Sequence, residues 1–149
     1  MSEKPKINRY EQLIAWQSAD ALAELVDSMI SSGPASRDFE FVKQIRKSSA
    51  KAPAQIAEGF VRFYPKESAY YYRVARASLA ETQAHLRRGY RRKYWSQETF
   101  AKAWDLSETA LKTITGLLKS RLKSIAEEQE RKRKLPTSRR LARNAPPQP

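Results

Sequence analysis

The sequence predicts an all-α protein: an antiparallel up-down four-helix bundle with a disordered basic C-terminal tail. Apolar residues recur at helical spacing through four long segments, and no stretch alternates apolar and polar residues as a half-buried strand would. Glycine and proline fall mainly between these segments or in the tail, where they end helices. Long helices joined by short connections pack as an up-down bundle.

The first helix is predicted from about Tyr10 to Ser31, after a lead-in of residues 1–9. The cluster Ser31-Ser32-Gly33-Pro34 ends it, because glycine and proline disfavour its continuation. Its buried face is predicted to contain Leu13, Trp16, Leu22, Val26 and Met29.

The second helix is predicted to begin near Asp38, whose carboxylate can accept hydrogen bonds from free amides of the first turn. Pro53 removes one backbone donor, so a kink is expected there, and Gly59 lets the chain turn out of the helix. A 3-4-3-4 spacing, typical of a seam between packed helices, relates Val42, Ile45, Ser49, Ala52 and Ile56.

The third helix is predicted from about Pro65 to Lys93 and the fourth from Ser96 onward, so that the bundle occupies residues 10–127. For the third helix, the predicted core positions are Tyr71, Ala75, Ser78, Leu79, Thr82 and Leu86. For the fourth, they are Phe100, Ala103, Leu111, Ile114, Leu118 and Ile125.

Three consecutive tyrosines must point in three directions around the third helix. Since a bundle helix buries only one face, some aromatic side chains are expected to be exposed or to meet another subunit, and the second alternative is favoured. The residues concerned are Tyr70, Tyr72, Tyr90, Tyr94, Trp95 and Trp104.

Charge is the strongest compositional signal. Twenty-nine Lys and Arg against sixteen Asp and Glu give +13, which favours a polyanionic partner through counterion release. Residues 128–149 carry seven Lys and Arg against two Glu, or +5, which leaves +8 on the bundle. The first part of this tail could extend the fourth helix before it frays. A basic tail can also serve only to solubilise a protein, so that alternative stays open.

The remaining composition predicts a soluble, cytoplasmic protein without redox or membrane chemistry. The chain has no cysteine, which excludes disulfides, thiolate nucleophiles and zinc-thiolate sites. No segment reaches the roughly 18 apolar residues of a membrane span, and no apolar signal core follows Met1.

Residues suited to catalysis are few, so the sequence predicts no enzyme, no cofactor and no metal. His85 is the only histidine, and its neighbour Glu81 alone cannot complete a metal site. Glu58 and Glu81 could form an acidic pair, but Arg46 and Arg76 are available as partners, so buried ion pairs or helix-cap hydrogen bonds are the favoured interpretation. Di-iron bundles also need Glu-x-x-His motifs, which the chain lacks.

Two basic clusters are predicted to contact nucleic-acid phosphates, because arginine grips phosphate bidentately. Tyrosine and tryptophan are interleaved with the first cluster, where exposed rings could stack on unpaired bases. Cations at a helix C-terminus also stabilise the helix dipole, which is the alternative explanation for part of that cluster. The first cluster is Arg87, Arg88, Arg91, Arg92 and Lys93. The second is Arg131, Lys132, Arg133, Lys134, Arg139, Arg140 and Arg143.

A set of short motifs gives the chain a family resemblance over about residues 7–125. The motifs are Leu13-Ile14-Ala15-Trp16-Gln17, Gln44-Ile45-Arg46, Ile56-Ala57-Glu58-Gly59-Phe60 and Ser78-Leu79-Ala80-Glu81. Together they resemble the 23S rRNA intervening-sequence proteins. Where that family usually has a serine-valine-proline-alanine-asparagine run, this chain has Lys51-Ala52-Pro53-Ala54-Gln55, and Ala77 stands where glycine is common.

The resemblance implies a bacterial four-helix bundle that assembles into a homopentamer and has no enzymatic activity. The accessory protein of diversity-generating retroelements is similar, and it binds nucleic acid and a reverse transcriptase. With the charge, this suggests a nucleic-acid-binding accessory protein that contacts RNA or DNA. The alternative is a protein-protein adaptor or assembly scaffold for a reverse transcriptase or another acidic partner.

Overall fold

Residues 3–135 are described by the computed structural model, and within that range the chain is helical with no strand. Short 3-10 turns at Tyr10–Gln12 and Pro34–Arg37 precede the first two α-helices. The prediction of an all-α fold with four helices is confirmed. The helices are α1 (Ile14–Ile30), α2 (Phe39–Val61), α3 (Pro65–Arg91) and α4 (Gln97–Lys134).

Local sequence signals set the helix boundaries. The Asp38 carboxylate accepts a hydrogen bond from the Phe41 amide at 3.2 Å and caps α2, as predicted. The Ser96 hydroxyl accepts from the Thr99 amide at 3.2 Å and caps α4. Between α1 and α2, Gly33 takes a φ of 72°, a left-handed conformation that glycine adopts without steric cost.

The four helices close into one bundle, since each packs on its neighbour in the chain and α1 also packs on α4. The short connections make successive helices antiparallel, which agrees with the predicted up-down arrangement. Every helix buries aliphatic side chains completely, among them Leu22, Ile45, Leu79 and Ile114. α2 is a single helix across Pro53, which is itself buried.

On α3 the core tyrosine is Tyr72, fully buried, and the prediction of Tyr71 in this role was wrong. The buried seam of α3 runs through Tyr72, Ala75, Leu79 and Thr82 at 3-4 spacing, one position away from Tyr71. Tyr71 is half-buried instead, and its hydroxyl accepts a hydrogen bond from Arg62 at 3.0 Å.

The fourth helix continues to Lys134, beyond residue 127 where the bundle was predicted to end. Residues 128–134 are rich in Glu, Gln, Lys and Arg, which favour helix. Ion pairs one turn apart support it: Lys132–Glu128 at 2.6 Å and Lys134–Glu130 at 3.4 Å. The rest of the predicted tail, with Arg139, Arg140 and Arg143, lies outside the described residues.

Candidate nucleic-acid interface

The first basic cluster sits on a tightly built helix end. At the end of α3, Lys93 adopts a left-handed φ of 61°. The amide of Lys93 donates to the Tyr90 carbonyl at 2.9 Å, and the amide of Tyr94 donates to the Gly89 carbonyl at 3.0 Å. This pair of bonds is a Schellman motif, which satisfies the last carbonyls of a helix and turns the chain back upon it.

The turn brings Trp95 onto the helix over Gly89. A Cβ at position 89 would lie 2.0 Å from the Trp95 ring, so only glycine allows this contact. The rings of Trp95 and Tyr94 pack against Phe41 on α2, at centroid distances of 5.7 and 5.2 Å. Tyr94 and Trp95 are thus half-buried and occupied in fastening the helix end.

Two of the five cations in this cluster are engaged within the protein. Arg92 Nη1 lies 2.9 Å from Asp38 Oδ2, the same oxygen that accepts from the Tyr94 hydroxyl at 2.6 Å. The Arg87 guanidinium lies 4.5 Å from the centroid of the Trp104 ring, in a cation-π contact.

The charge on Asp38 is stabilised from three sides. The Tyr94 hydroxyl, the Phe41 amide and the Arg92 guanidinium hold the pKa of the Asp38 carboxyl below its usual value, because each favours the ionised form. The pKa of Tyr94 is raised, chiefly because its hydroxyl donates to Asp38. Asp38 therefore joins the start of α2 to the end of α3.

The remaining cations of the first cluster, Arg88, Arg91 and Lys93, are exposed. None of the three forms an ion pair with any residue between 3 and 135. Three side chains thus project positive charge into solvent from one helix end, more than a helix dipole alone requires.

The second cluster lies at the opposite end of the bundle. Arg131, Lys132, Arg133 and Lys134 form the last turn of α4, while the first cluster lies beside its start. At 1.5 Å per residue, the two ends of α4 are roughly 50 Å apart. The structure therefore does not bring the two predicted clusters together within one protomer.

The predicted pairing of the acidic candidates with Arg46 and Arg76 was wrong. Glu58 pairs with Arg62, the residue that follows α2, and Glu81 lies 3.6 Å from His85 on the same helix, α3. Arg46 pairs instead with Asp27 at 3.7 Å. Glu58 and Glu81 lie beside the buried seams rather than on them, so they face outward and need no partner across the core.

A patch that the sequence reasoning overlooked lies where α2 turns into α3. Phe63 is 89% exposed, Tyr64 63% and Tyr70 58%, and we name these three side chains the aromatic corner. Of these three residues, only Tyr70 is among the aromatic side chains predicted from the sequence to be exposed or to meet another subunit. The run Arg62-Phe63-Tyr64-Pro65-Lys66 is the signal that could have identified the patch, because it places two rings between cations at a helix connection.

Among the residues that the structure describes, no three His, Cys, Asp or Glu side chains converge as metal ligands. Within the same part of the chain, no helix combines the length and the apolar character that a bilayer span requires.

A family model matches residues 11–116. This range contains α1, α2, α3 with the first basic cluster, and the first half of α4. The description of the family is 23S rRNA-intervening sequence protein. The chain belongs to this family. The match includes the motifs that carried the resemblance, and it ends before the second cluster of this intervening-sequence protein. No curated protein matches the chain significantly.

Proposed function

We propose that this intervening-sequence protein is a non-enzymatic, cytoplasmic accessory protein that binds RNA or DNA through phosphate contacts. The observation that carries the proposal is the end of α3, where Arg88, Arg91 and Lys93 are exposed without ion pairs in the described chain. A net charge of +13 adds long-range attraction for a polyanion. The family description, which names an rRNA, is compatible with a nucleic-acid partner.

The α4 end is the second proposed contact. Lys132 and Lys134 share their charge with Glu128 and Glu130, so Arg131 and Arg133 project most of the uncompensated charge. Residues Arg139, Arg140 and Arg143 follow in the same chain and extend the basic run.

A salt series tests the proposal. The full chain and two truncations, 1–135 and 1–127, are titrated by fluorescence anisotropy against a structured RNA and a duplex DNA. Since each lost phosphate contact lowers the slope of log K against log salt by about 0.7 to 0.9, both truncations should give shallower slopes. The difference in slope between the two truncations separates the phosphate contacts made by the helical end of α4 from those made by the residues beyond it.

A charge-matched pair of variants tests the first cluster. Arg88→Gln with Arg91→Gln should reduce the salt slope by about 1.5, because two phosphate contacts are lost. Arg9→Gln with Arg46→Gln removes the same charge from residues that pair with Glu11 and Asp27, and should leave the slope nearly unchanged. Absence of any nucleic-acid binding at low salt would refute the proposal.

We further propose that the protein works as a homo-oligomer, a pentamer by the family resemblance. Support comes from α3, whose outer face carries the exposed small residues Ala77, Ala80 and Ala84 at 3-4 spacing. Such a row lets another helix approach closely, and closed ring symmetry would repeat each weak phosphate contact.

The rival proposal is an adaptor that recruits a reverse transcriptase or another acidic protein. Phe39, 81% exposed at the start of α2, is a side chain of the kind that anchors such contacts. An adaptor predicts that affinity for a protein partner depends on a few anchors and only weakly on salt.

A further inference from the structure

We infer that the aromatic corner and the adjoining groove form a site for unpaired bases, so that the preferred ligand is single-stranded nucleic acid. This inference rests on the proposed function and goes beyond it, because the predicted clusters contact phosphates without distinguishing single strands from duplexes. The inferred site for bases is therefore the aromatic corner and not Tyr94 and Trp95, whose rings pack against Phe41 at the end of α3.

Flat aromatic rings are exposed on the α2–α3 connection. The Phe63 and Tyr64 rings meet edge to face at a centroid distance of 5.3 Å, so this contact covers one face of one ring and leaves the other ring faces free of it. Tyr70 lies one helical turn after Lys66 on the same side of α3. Aromatic faces bind bases of any sequence by stacking, and only unpaired bases offer a face to stack on.

A groove lies beside these rings. It has a volume of about 310 Å³ and lies between the α2–α3 connection and the end of α4. Tyr64 and Lys66 line one side, and Ile125 and Lys132 line the other. The volume is at the lower end of the range for small-ligand sites, about 300 to 1,000 Å³, which suits a single base.

The chain on both sides of the groove carries net positive charge. Residues 58–73 carry three cations against two carboxylates, and residues 128–134 carry four against two. The carboxylate of Glu128, which lines the groove, is held by Lys132 at 2.6 Å. The corner is therefore positive, which attracts phosphates. It also disfavours a second copy of the same corner, because like charges would be brought together.

The chain offers a matched test. A labelled oligothymidylate, which has no paired bases, and a labelled duplex of equal length are titrated by anisotropy. Phe63→Ala with Tyr64→Ala should weaken oligothymidylate binding roughly tenfold, because base stacking is lost, and leave duplex binding within about twofold. The salt slope should not change in this variant, because no phosphate contact is removed.

Phe39→Ala is the control, since Phe39 is as exposed as the corner residues but lies at the other end of α2. It should leave both affinities unchanged. Lys66→Gln should lower the salt slope for the oligothymidylate by about 0.7, which places a phosphate contact beside the rings. Thermal unfolding of each variant should match the parent, because exposed side chains contribute little to stability.

Three results would overturn the inference. Equal loss of duplex and single-strand binding would mean that the rings do not stack on bases. Unchanged oligothymidylate binding in the double variant would remove the corner from the interface while the proposed function stands. If light scattering gave the Phe63→Ala, Tyr64→Ala variant a lower molar mass than the parent, the corner would be a contact between subunits instead. If the full chain binds no nucleic acid, the proposed function itself fails.

Discussion

At the scale of single residues, the core depends on glycines that admit aromatic rings. Gly59 on α2 faces the fully buried ring of Tyr72, and the Ser68 hydroxyl donates to the Gly59 carbonyl at 2.6 Å. Gly89 admits Trp95 in the same way at the other end of α3. The sequence motif Ile56-Ala57-Glu58-Gly59 therefore has a packing role. The prediction that Gly59 turns the chain out of the helix was wrong, because α2 continues past it to Val61 and Gly59 has no positive φ.

Gly59→Ala is expected to destabilise the protein by about 1 kcal/mol. A new Cβ would lie 2.7 Å from the Tyr72 ring, which has no room to move, and overpacking of about 1–3 kcal/mol exceeds the gain of about 1 kcal/mol in helix propensity. Gly116→Ala is the control, because nothing lies within 4 Å of the point that its new methyl group would occupy, and it should stabilise by about 1 kcal/mol. Urea unfolding measures the free energy of unfolding of both variants. If Gly59→Ala stabilised the protein as much as Gly116→Ala, the packing role of Gly59 would be refuted.

Lys93 carries backbone strain that glycine would remove. Lys93→Gly should raise the free energy of unfolding by about 1 kcal/mol, because a left-handed conformation costs a residue with a Cβ roughly 1–2 kcal/mol. Lys93→Ala removes the same charge but keeps the Cβ, so it should give no such gain. Equal stability of the two variants by chemical denaturation would exclude strain at this position.

At the scale of elements, Asp38 links the start of α2 to the end of α3, and this link depends on its charge. Since the folded-state pKa of Asp38 is below its ordinary value of 3.8, its contribution to stability is present above that pH. The contribution is lost as the pH falls through the lower folded-state pKa.

The Asp38→Asn variant should therefore unfold at a lower urea concentration than the parent at neutral pH. The difference between their urea midpoints should become smaller as the pH falls, because the parent loses the charge on Asp38. Asparagine can still cap α2, so the comparison isolates the charge that Arg92 and Tyr94 recognise. Asp105→Asn on α4 changes an exposed carboxylate and should show no such narrowing. A difference that is constant with pH would contradict the proposed linkage.

Helical periodicity was sufficient to predict the elements but not the contacts between them. The seam through Ile45, Ala52 and Ile56 is buried as its spacing predicted, and the Asp38 cap forms. Tyr71 was misplaced because Tyr71 and Tyr72 stand four and three residues before Ala75, so both fit the helical spacing, and only the space beside Gly59 selects Tyr72. Ion pairs between different helices have no periodic signal, so Arg46 on α2 could not be assigned to Asp27 on α1 from the sequence.

At the scale of the whole molecule, the interface was predicted only as a set of charges. The sequence located both basic clusters. It could not show that Arg92 forms an ion pair and Arg87 a cation-π contact within the protein, whereas Arg88 and Arg91 form no ion pair in the described chain. That distinction depends on Asp38 and Trp104, which come from distant parts of the chain. The groove beside the aromatic corner likewise exists only because α4 runs past the α2–α3 connection.

The proposed assembly makes a prediction at the same scale. Ala80→Glu should lower the molar mass measured by light scattering toward that of a 17.2 kDa protomer, because a charge would enter the contact between copies. Ala101→Glu on α4 introduces the same charge on another exposed alanine and should leave the mass unchanged. A monomeric parent protein would refute the oligomer, and an unaffected Ala80→Glu would move the contact to another face.

The placement of positive charge at both ends of the bundle sets a length scale for the ligand. At roughly 3.4 Å per base pair, a duplex needs about 15 base pairs to extend over the roughly 50 Å that separate the two ends of α4. Shorter ligands can occupy the ends of one protomer independently, whereas longer ones can span both at once. The number of ligands bound per protomer should therefore fall as the ligand is lengthened through this threshold.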